Sequence, residues 1–307
     1  NTYLEVSSLQ KLVSISLTVN AILKFLEKFK EYYPKLQQFS QHIPVSTTII
    51  EQVDAVVDRF GDIKDNASPL LSSLRKTINQ LKGKINSSFS SALNTYHNLD
   101  YLDDIRESVV DNKRVLAVKA MYRRKVRGAI MGGSKTGSIV YIEPETTLQH
   151  TRELNNLEYE EKEEVIKILK ELTNYVREFS PLLKDYQEFL TNIDVISAKA
   201  KYAQSMNAIL PEFSKERRMH LRDAYHPLLF LNNKEKGEHT FPQTIGLEKD
   251  SRIIVISGPN AGGKSITLKT VGLLQVMIQS GMLIPVHERS YVCLFDRILS
   301  DIGDNQS

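Results

Sequence analysis

Arg252-Ile253-Ile254-Val255-Ile256-Ser257-Gly258-Pro259-Asn260-Ala261-Gly262-Gly263-Lys264-Ser265 is the stretch on which the fold turns. The nearly continuous apolar run at 252–256 predicts a parallel strand buried on both faces. Residues 266–280 are apolar almost all round, which predicts a buried helix ending at Gly281 as its C′ residue. Between them, Gly258 to Ser265 matches G-x-x-x-x-G-K-[ST] in the strand–loop–helix context the motif demands. The spacing has a physical cause. Glycines let the backbone curl so that several amides point inward at phosphate oxygens, and the following helix adds its positive end. In such a loop Lys264 reaches the β- and γ-phosphates, and the Ser265 hydroxyl binds Mg²⁺. The candidate ATP site is therefore Gly258, Pro259, Asn260, Ala261, Gly262, Gly263, Lys264 and Ser265, with Ser265 also the metal contact.

Working outward, the chain from about 215 reads as α/β, and long helical patterns precede it. Ser68-Pro69 opens one, with serine as N-cap and proline in the first turn. Leu71, Leu74, Ile78, Leu81, Ile85, Leu93 and Tyr96 follow near a 3.5-residue repeat. A second pattern runs from Leu154 to Ile196, apolar or aromatic at the seam apart from Glu161, with Pro181 expected to kink or interrupt it. Unbroken, such a run reaches about 60 Å. Between the two, 115–118 and 138–142 are strand-like, and Gly132 to Gly137 is a turn-rich link. Residues 4–60 read as helical, punctuated by Pro34 and Pro44.

The 112–139 stretch holds Lys113, Arg114, Lys119, Arg123, Arg124, Lys125, Arg127 and Lys135, with Tyr122 among them and no acidic residue. The net charge of the whole chain is only +3, so this clustering is informative. These eight are candidate nucleic-acid contacts, of the sequence-independent, salt-sensitive kind that phosphate binding gives. A solvated surface that keeps a strand edge from aggregating is the other reading of the same charges.

Two decoys are set aside. Val292-Cys293-Leu294-Phe295-Asp296 has the form of a Walker B strand but follows the loop too closely, and reads as a structural strand. Gly133-Ser134-Lys135-Thr136 lacks the loop length and reads as a turn. At 307 residues and 41% hydrophobic, the chain has material for more than one core. A single cysteine, Cys293, excludes an internal disulfide and is compatible with a reducing, cytoplasmic setting. No apolar run is expected to approach the ~20 residues of a membrane span. The opening residues lack signal-peptide character, and without an initiator Met the chain reads as part of a longer protein.

The loop residues Gly-Pro-Asn-Ala-Gly-Gly-Lys-Ser resemble the P-loop of MutS proteins. Tyr225-His226-Pro227-Leu228-Leu229 resembles the segment that opens their ATPase domain. Asp65 to Pro69, Arg114 to Pro144 ending in Tyr141-Ile142-Glu143-Pro144, Thr267 to Leu273 and Phe295 to Ser307 resemble the mismatch-repair-independent MutS-II branch. The likeness runs in one order over nearly the whole chain. It implies a multidomain α and α/β fold: a helical core at 1–67, long antiparallel lever helices at 68–100 and 146–205, a small β clamp at 101–145, and the N-terminal part of an ABC-type P-loop ATPase domain at 206–307. It also implies ATP and Mg²⁺ as cofactors and a homodimer in the full-length protein. The implied partner is nucleic acid, either branched DNA in recombination control or ribosomal RNA on stalled ribosomes, with no membrane involved. In such modules the segment before the P-loop strand holds the adenine; here it is 240–243, where Phe241 either stacks on a purine or sits in the core.

Three departures follow. The chain stops before the family's signature segment and Walker B carboxylates, it has no Smr nuclease domain, and Asn305 stands where the branch usually has an acidic residue. ATPase activity is thus expected of the full-length protein, with negligible hydrolysis by these residues alone. An ABC- or SMC-type ATPase driving a protein partner is the competing class. SMC chains place the P-loop before the long helix, the reverse of the order here, and the basic cluster disfavours a purely protein-directed machine.

Overall fold

The computed structural model describes residues 2–259 and 263–300, and these form two compact units that divide between Gln187 and Glu188.

The first unit opens with three helices, α1 (Val6–Lys28), α2 (Pro34–Ser40) and α3 (Thr48–Val56). Contrary to the expectation of no long apolar run, α1 is long and apolar enough to cross a membrane by length and composition. It has 23 residues, with charge kept to its ends. Its polar residues show what it packs against. Ser16 and Asn20 are buried, and the Asn20 amide both donates to the Ser46 carbonyl at 2.8 Å and accepts the Ser46 N–H at 3.2 Å. This pairing ties α1 to the segment that precedes α3.

Two longer helices, α4 (Pro69–Asn98) and α5 (Glu145–Arg177), pack antiparallel. The Ser68 Oγ caps α4 by accepting the Leu71 N–H at 3.0 Å, and it donates to buried Glu164 at 2.7 Å. Glu161, the charged residue in the otherwise apolar seam, is explained by Arg75, whose Nε lies 2.7 Å away. The same guanidinium reaches Asp65 and the Ile63 carbonyl. Leu71 joins Leu9, Ile49, Val53, Ile168, Leu172 and Val176 in one core. Some 27 Å further along the helix at 1.5 Å per residue, Phe89 enters a second core. One helix thus ties two cores together. Phe89 belongs to the heptad seam although the sequence pattern above passed over it. The second pattern is not one helix. It breaks at Glu178–Phe179, and α6 (Ser180–Ser205) begins with Pro181 in its first turn, where the missing amide costs nothing.

The second core lies beneath a four-stranded antiparallel sheet, β1 (Leu102–Val110), β2 (Lys113–Lys119), β3 (Gly128–Gly133) and β4 (Ile139–Pro144), in the order β1-β2-β4-β3. Central β2 buries Val115, Leu116, Ala117 and Val118 completely. Two elements depart from the sequence reading: β1 is a full strand, and Gly132 and Gly133 belong to β3, not to the link. Gly128 has no substitute. Its φ is +156°, and a Cβ there would lie 2.1 Å from the Glu143 carbonyl oxygen.

In the second unit a mixed sheet, β5 (Glu212–Phe213), β6 (Met219–Ala224), β7 (Gln243–Leu247) and β8 (Tyr291–Val292), takes the order β5-β8-β6-β7. Helices α7 (Pro227–Lys236) and α8 (Lys264–Gln279) accompany it. Met219, Leu221, Leu274, Met277, Ile278 and Val292 form its core. Only β5 and β8 pair in parallel. The 292–296 segment is strand only as far as Val292.

The strand expected at 252–256 is not formed. Ile253 and Val255 are 82% and 85% exposed, while Ile254 and Ile256 line a cavity of about 470 Å³ with Leu268, Val271 and Gln275 of α8. The chain alternates as an extended segment does, but among the described residues no strand pairs with it. A ladder needs a neighbour, and an apolar run alone cannot supply one. For the same reason α8 is only partly covered. Leu274, Met277 and Ile278 are buried, but Leu268 and Val276 stay exposed. Its end is as expected, with Gly281 at φ +70° and its N–H bonded to the Ile278 carbonyl.

Candidate functional site

Two groups of residues carry chemistry, one in each unit. In the second unit, Gly258, Pro259, Gly263, Lys264 and Ser265 are placed, and Asn260, Ala261 and Gly262 lie outside the described residues. Gly263 is the N-cap of α8 at φ +80°, a conformation that a side chain would strain. Gly258 also has positive φ, +151°. Lys264 is the first residue of the helix. Its Nζ curls back to donate to the Gly258 carbonyl and, at 2.9 Å, to the Pro259 carbonyl. Ser265 is exposed beside it in the first turn. An ammonium and a hydroxyl at a helix start, without a side-chain cap on the helix, fit a phosphate with its Mg²⁺. Among the described residues, no cluster of His, Cys, Asp or Glu could hold a metal ion by itself.

Phe241 is 79% exposed and touches His239 edge-on, with ring centroids 4.8 Å apart. Thr240 beside it is buried and accepts from the Asn233 amide at 3.0 Å. The core alternative for Phe241 is thereby removed.

His226 caps α7, its Nδ1 accepting the Leu229 N–H at 3.3 Å. Its pKa is held below the usual imidazole range, first by burial and then by the Lys269 ammonium on α8. Only the neutral ring can accept at Nδ1. The unfolded chain takes up its proton as pH falls through about 6.5, before the folded one does. The stabilisation from neutral His226 is therefore complete above that pH and is lost as pH falls toward the lowered folded value. Thermal melts between about pH 7.5 and 5.5 should show a steeper acid decline in the native protein than in His226→Asn, which keeps a cap acceptor without titrating. The difference should be about 0.5–1 kcal/mol at most, since partial exposure screens it. Equal pH slopes would show that the cap does not depend on the ring's charge.

In the first unit the eight basic residues divide into two sets. Lys113 pairs with Glu143 at 3.2 Å, Arg114 with Glu107 at 2.6 Å, and Lys119 with Asp100 at 2.9 Å. Arg114 also lies over the Phe89 ring at 4.3 Å. These three are structural. Arg123, Arg124, Lys125, Arg127 and Lys135 are exposed, and no ion pair joins any of them to a carboxylate among the described residues. The first three sit on the turn leaving β2. Buried Val126 pins this turn, and the Lys125 N–H bonds the Tyr122 carbonyl at 2.8 Å. Tyr122 stacks on Tyr101 at 4.6 Å, and the Tyr96 hydroxyl accepts the Arg127 N–H at 3.4 Å. Lys135 lies on the β3–β4 turn, where Ser134, Thr136 and Ser138 bond one another. A cationic rim is thus held on ordered turns.

The sequence reading missed the carboxylates that neutralise the other three. Asp100 and Glu107 lie N-terminal to the basic window and Glu143 lies after it. A signal for β1 was present: Asp111-Asn112 between strand-like residues marks a two-residue hairpin turn, and both residues adopt positive φ, 48° and 61°.

Comparison with known proteins finds sequences similar to this chain. The chain is 34% identical over 275 residues to the endonuclease MutS2 of Staphylococcus aureus, a match covering 90% of this chain and 37% of that protein. The MutS2 endonuclease of strain JH9 matches equally, with 34% of its length covered. Over most of its own length the chain is therefore similar to MutS2 proteins. The MutS relatives are longer, and this chain spans about a third of their length. No protein-family profile matches the chain.

Proposed function

We propose that this chain belongs to the MutS-II branch and forms the clamp and phosphate-loop portion of an ATP-dependent nucleic-acid-binding protein. The observation that carries the proposal is the cationic rim of Arg123, Arg124, Lys125, Arg127 and Lys135 on ordered turns of the sheet, without carboxylate partners among the described residues. Such a rim contacts phosphates and reads no bases, so it suits a ligand recognised by shape, either branched DNA or folded ribosomal RNA. The name endonuclease given to the relatives supports nucleic acid as the polymer handled. The nuclease activity itself is proposed only for the whole protein.

ATP with Mg²⁺ is proposed to bind at residues 258–265, where the metal neutralises phosphate charge. Lys264 would exchange its two loop carbonyls for β- and γ-phosphate oxygens, and Ser265 would hold the metal. Phe241, exposed before the loop, would stack on the base. In the full-length homodimer, α4 and α5 would act as levers between nucleotide state and clamp. A cytoplasmic location accords with this work.

Lys264→Ala tests the nucleotide half. Titration with a fluorescent ATP analogue and Mg²⁺ should show at least about tenfold weaker binding, the loss of a charge-assisted hydrogen bond. Unchanged affinity would remove the loop from the proposal. ATP turnover by these residues alone should stay at background, and a rate that Lys264→Ala abolishes would contradict that expectation.

A further inference from the structure

We propose that the aromatic and lysine surface at the end of α1 is a platform for single-stranded nucleic acid, separate from the cationic rim of the sheet. Residues 24–35 read Lys-Phe-Leu-Glu-Lys-Phe-Lys-Glu-Tyr-Tyr-Pro-Lys. Four rings gather there. Phe25 and Phe29 have centroids 4.8 Å apart, Phe25 and Tyr33 lie 6.2 Å apart with planes at 26°, and Phe29 and Tyr32 lie 6.3 Å apart. Rings that cluster this closely usually do so inside a core. Here Tyr32 is 77% exposed, Phe25 49% and Tyr33 46%.

The rings are also held in place. Leu23 and Leu26 are buried and anchor the helix end. The Phe29 carbonyl accepts the N–H groups of both Tyr32 and Tyr33, and Pro34 starts α2 immediately after. Stacking a base on such a platform costs little ordering entropy.

The charge selects the partner. Four lysines stand against two glutamates in this segment, and one of those, Glu27, is taken by Lys30 at 2.9 Å. Lys24, Lys28 and Lys35 are exposed with no ion pair among the described residues, and the Lys28 Nζ lies 5.3 Å from the Phe29 centroid. Open π-faces beside free ammonium groups match a strand offering an unpaired base and a phosphate at each step. A duplex hides its base faces in its own stack, so the platform discriminates in favour of single strands. An apolar protein partner would leave the exposed Lys24, Lys28 and Lys35 ammonium groups without an anion to meet, whereas a nucleic-acid strand brings a phosphate at each step.

The test is fluorescence anisotropy with end-labelled oligo(dT) and oligo(U) of about 20 nucleotides and a duplex of matched length, in about 50 mM salt. Native protein is compared with Tyr32→Ala/Tyr33→Ala, Tyr32→Phe/Tyr33→Phe, and Arg123→Glu/Arg124→Glu/Lys125→Glu/Arg127→Glu. The alanine pair should weaken single-strand binding at least about tenfold and leave duplex binding alone, while the phenylalanine pair should retain both. The sheet variant should keep single-strand binding. All the substituted side chains are exposed, and equal melting temperatures confirm that folding is intact. An alanine pair that binds single strands like native protein overturns the proposal, as does single-strand binding that disappears with the sheet variant. Absence of any single-strand binding also overturns it, and then an apolar protein partner is the remaining occupant. Failure of the clamp shows separately, as duplex binding that the sheet variant does not disturb.

Discussion

Replacing Arg123, Arg124, Lys125 and Arg127 with glutamate should reduce binding to duplex or junction DNA at least about a hundredfold in ~50 mM salt. The reasoning is electrostatic. Each phosphate neutralised releases condensed counterions and contributes roughly 0.9 to the salt slope on duplex DNA. Four lost contacts should therefore flatten that slope by roughly 3–4. Reversal adds repulsion to the lost attraction. The structure gives reason to expect a clean result. All four side chains are exposed, and none pairs with a carboxylate among the described residues, so the fold loses nothing when they change. A melting curve like that of the native protein should accompany the lost affinity. A variant that binds equally well would reduce the rim to a solvated surface.

Lys113→Ala should behave oppositely, costing stability first. Glu143 is only 2% exposed, and its carboxylate pairs with Lys113 at 3.2 Å. Removing the lysine strands a buried charge, a change worth about 3–5 kcal/mol. Chemical denaturation should show that loss. The double variant Lys113→Ala/Glu143→Gln should recover most of it, since no charge is then left in the core. A single variant as stable as the native protein would mean that Glu143 finds water or another donor. The pair of results also guards against a misreading: charge reversal at Lys113 would lower nucleic-acid binding by destabilising the sheet, since its partner Glu143 is buried.

The contrast shows what was legible in the sequence. The α4 seam was, because Ser68 as cap and Leu71, Leu74, Ile78 and Leu81 as core are local, periodic signals. Glu161 stood out as a charged residue in the α5 seam, but its reason, Arg75 on α4, is 86 residues away and could not be read. Strand β1 was missed because Asp103, Asp104 and Glu107 interrupt its apolar alternation, and because the register shifts between Leu102 and Glu107. The basic cluster was plain in composition, yet composition could not separate three paired cations from five that have no carboxylate partner among the described residues. That division depends on Asp100, Glu107 and Glu143 returning across strands. At the phosphate loop the residue types were read directly. The preceding apolar run predicts a strand because hydrophobicity reports a wish for burial, whereas strand structure also requires a hydrogen-bonding neighbour.

The central claim is that the sheet's rim holds nucleic acid through phosphate contacts. The most direct measurement is a titration of the native protein against labelled four-way-junction DNA, linear duplex and a structured ribosomal RNA fragment over a salt series. Binding should appear at ~50 mM salt, fall linearly in log–log form with a slope of at least roughly 3, and favour one ligand, which then selects branched DNA or the ribosome as the target. No binding at ~50 mM salt, or binding indifferent to salt, would contradict the account and turn the search toward a protein partner.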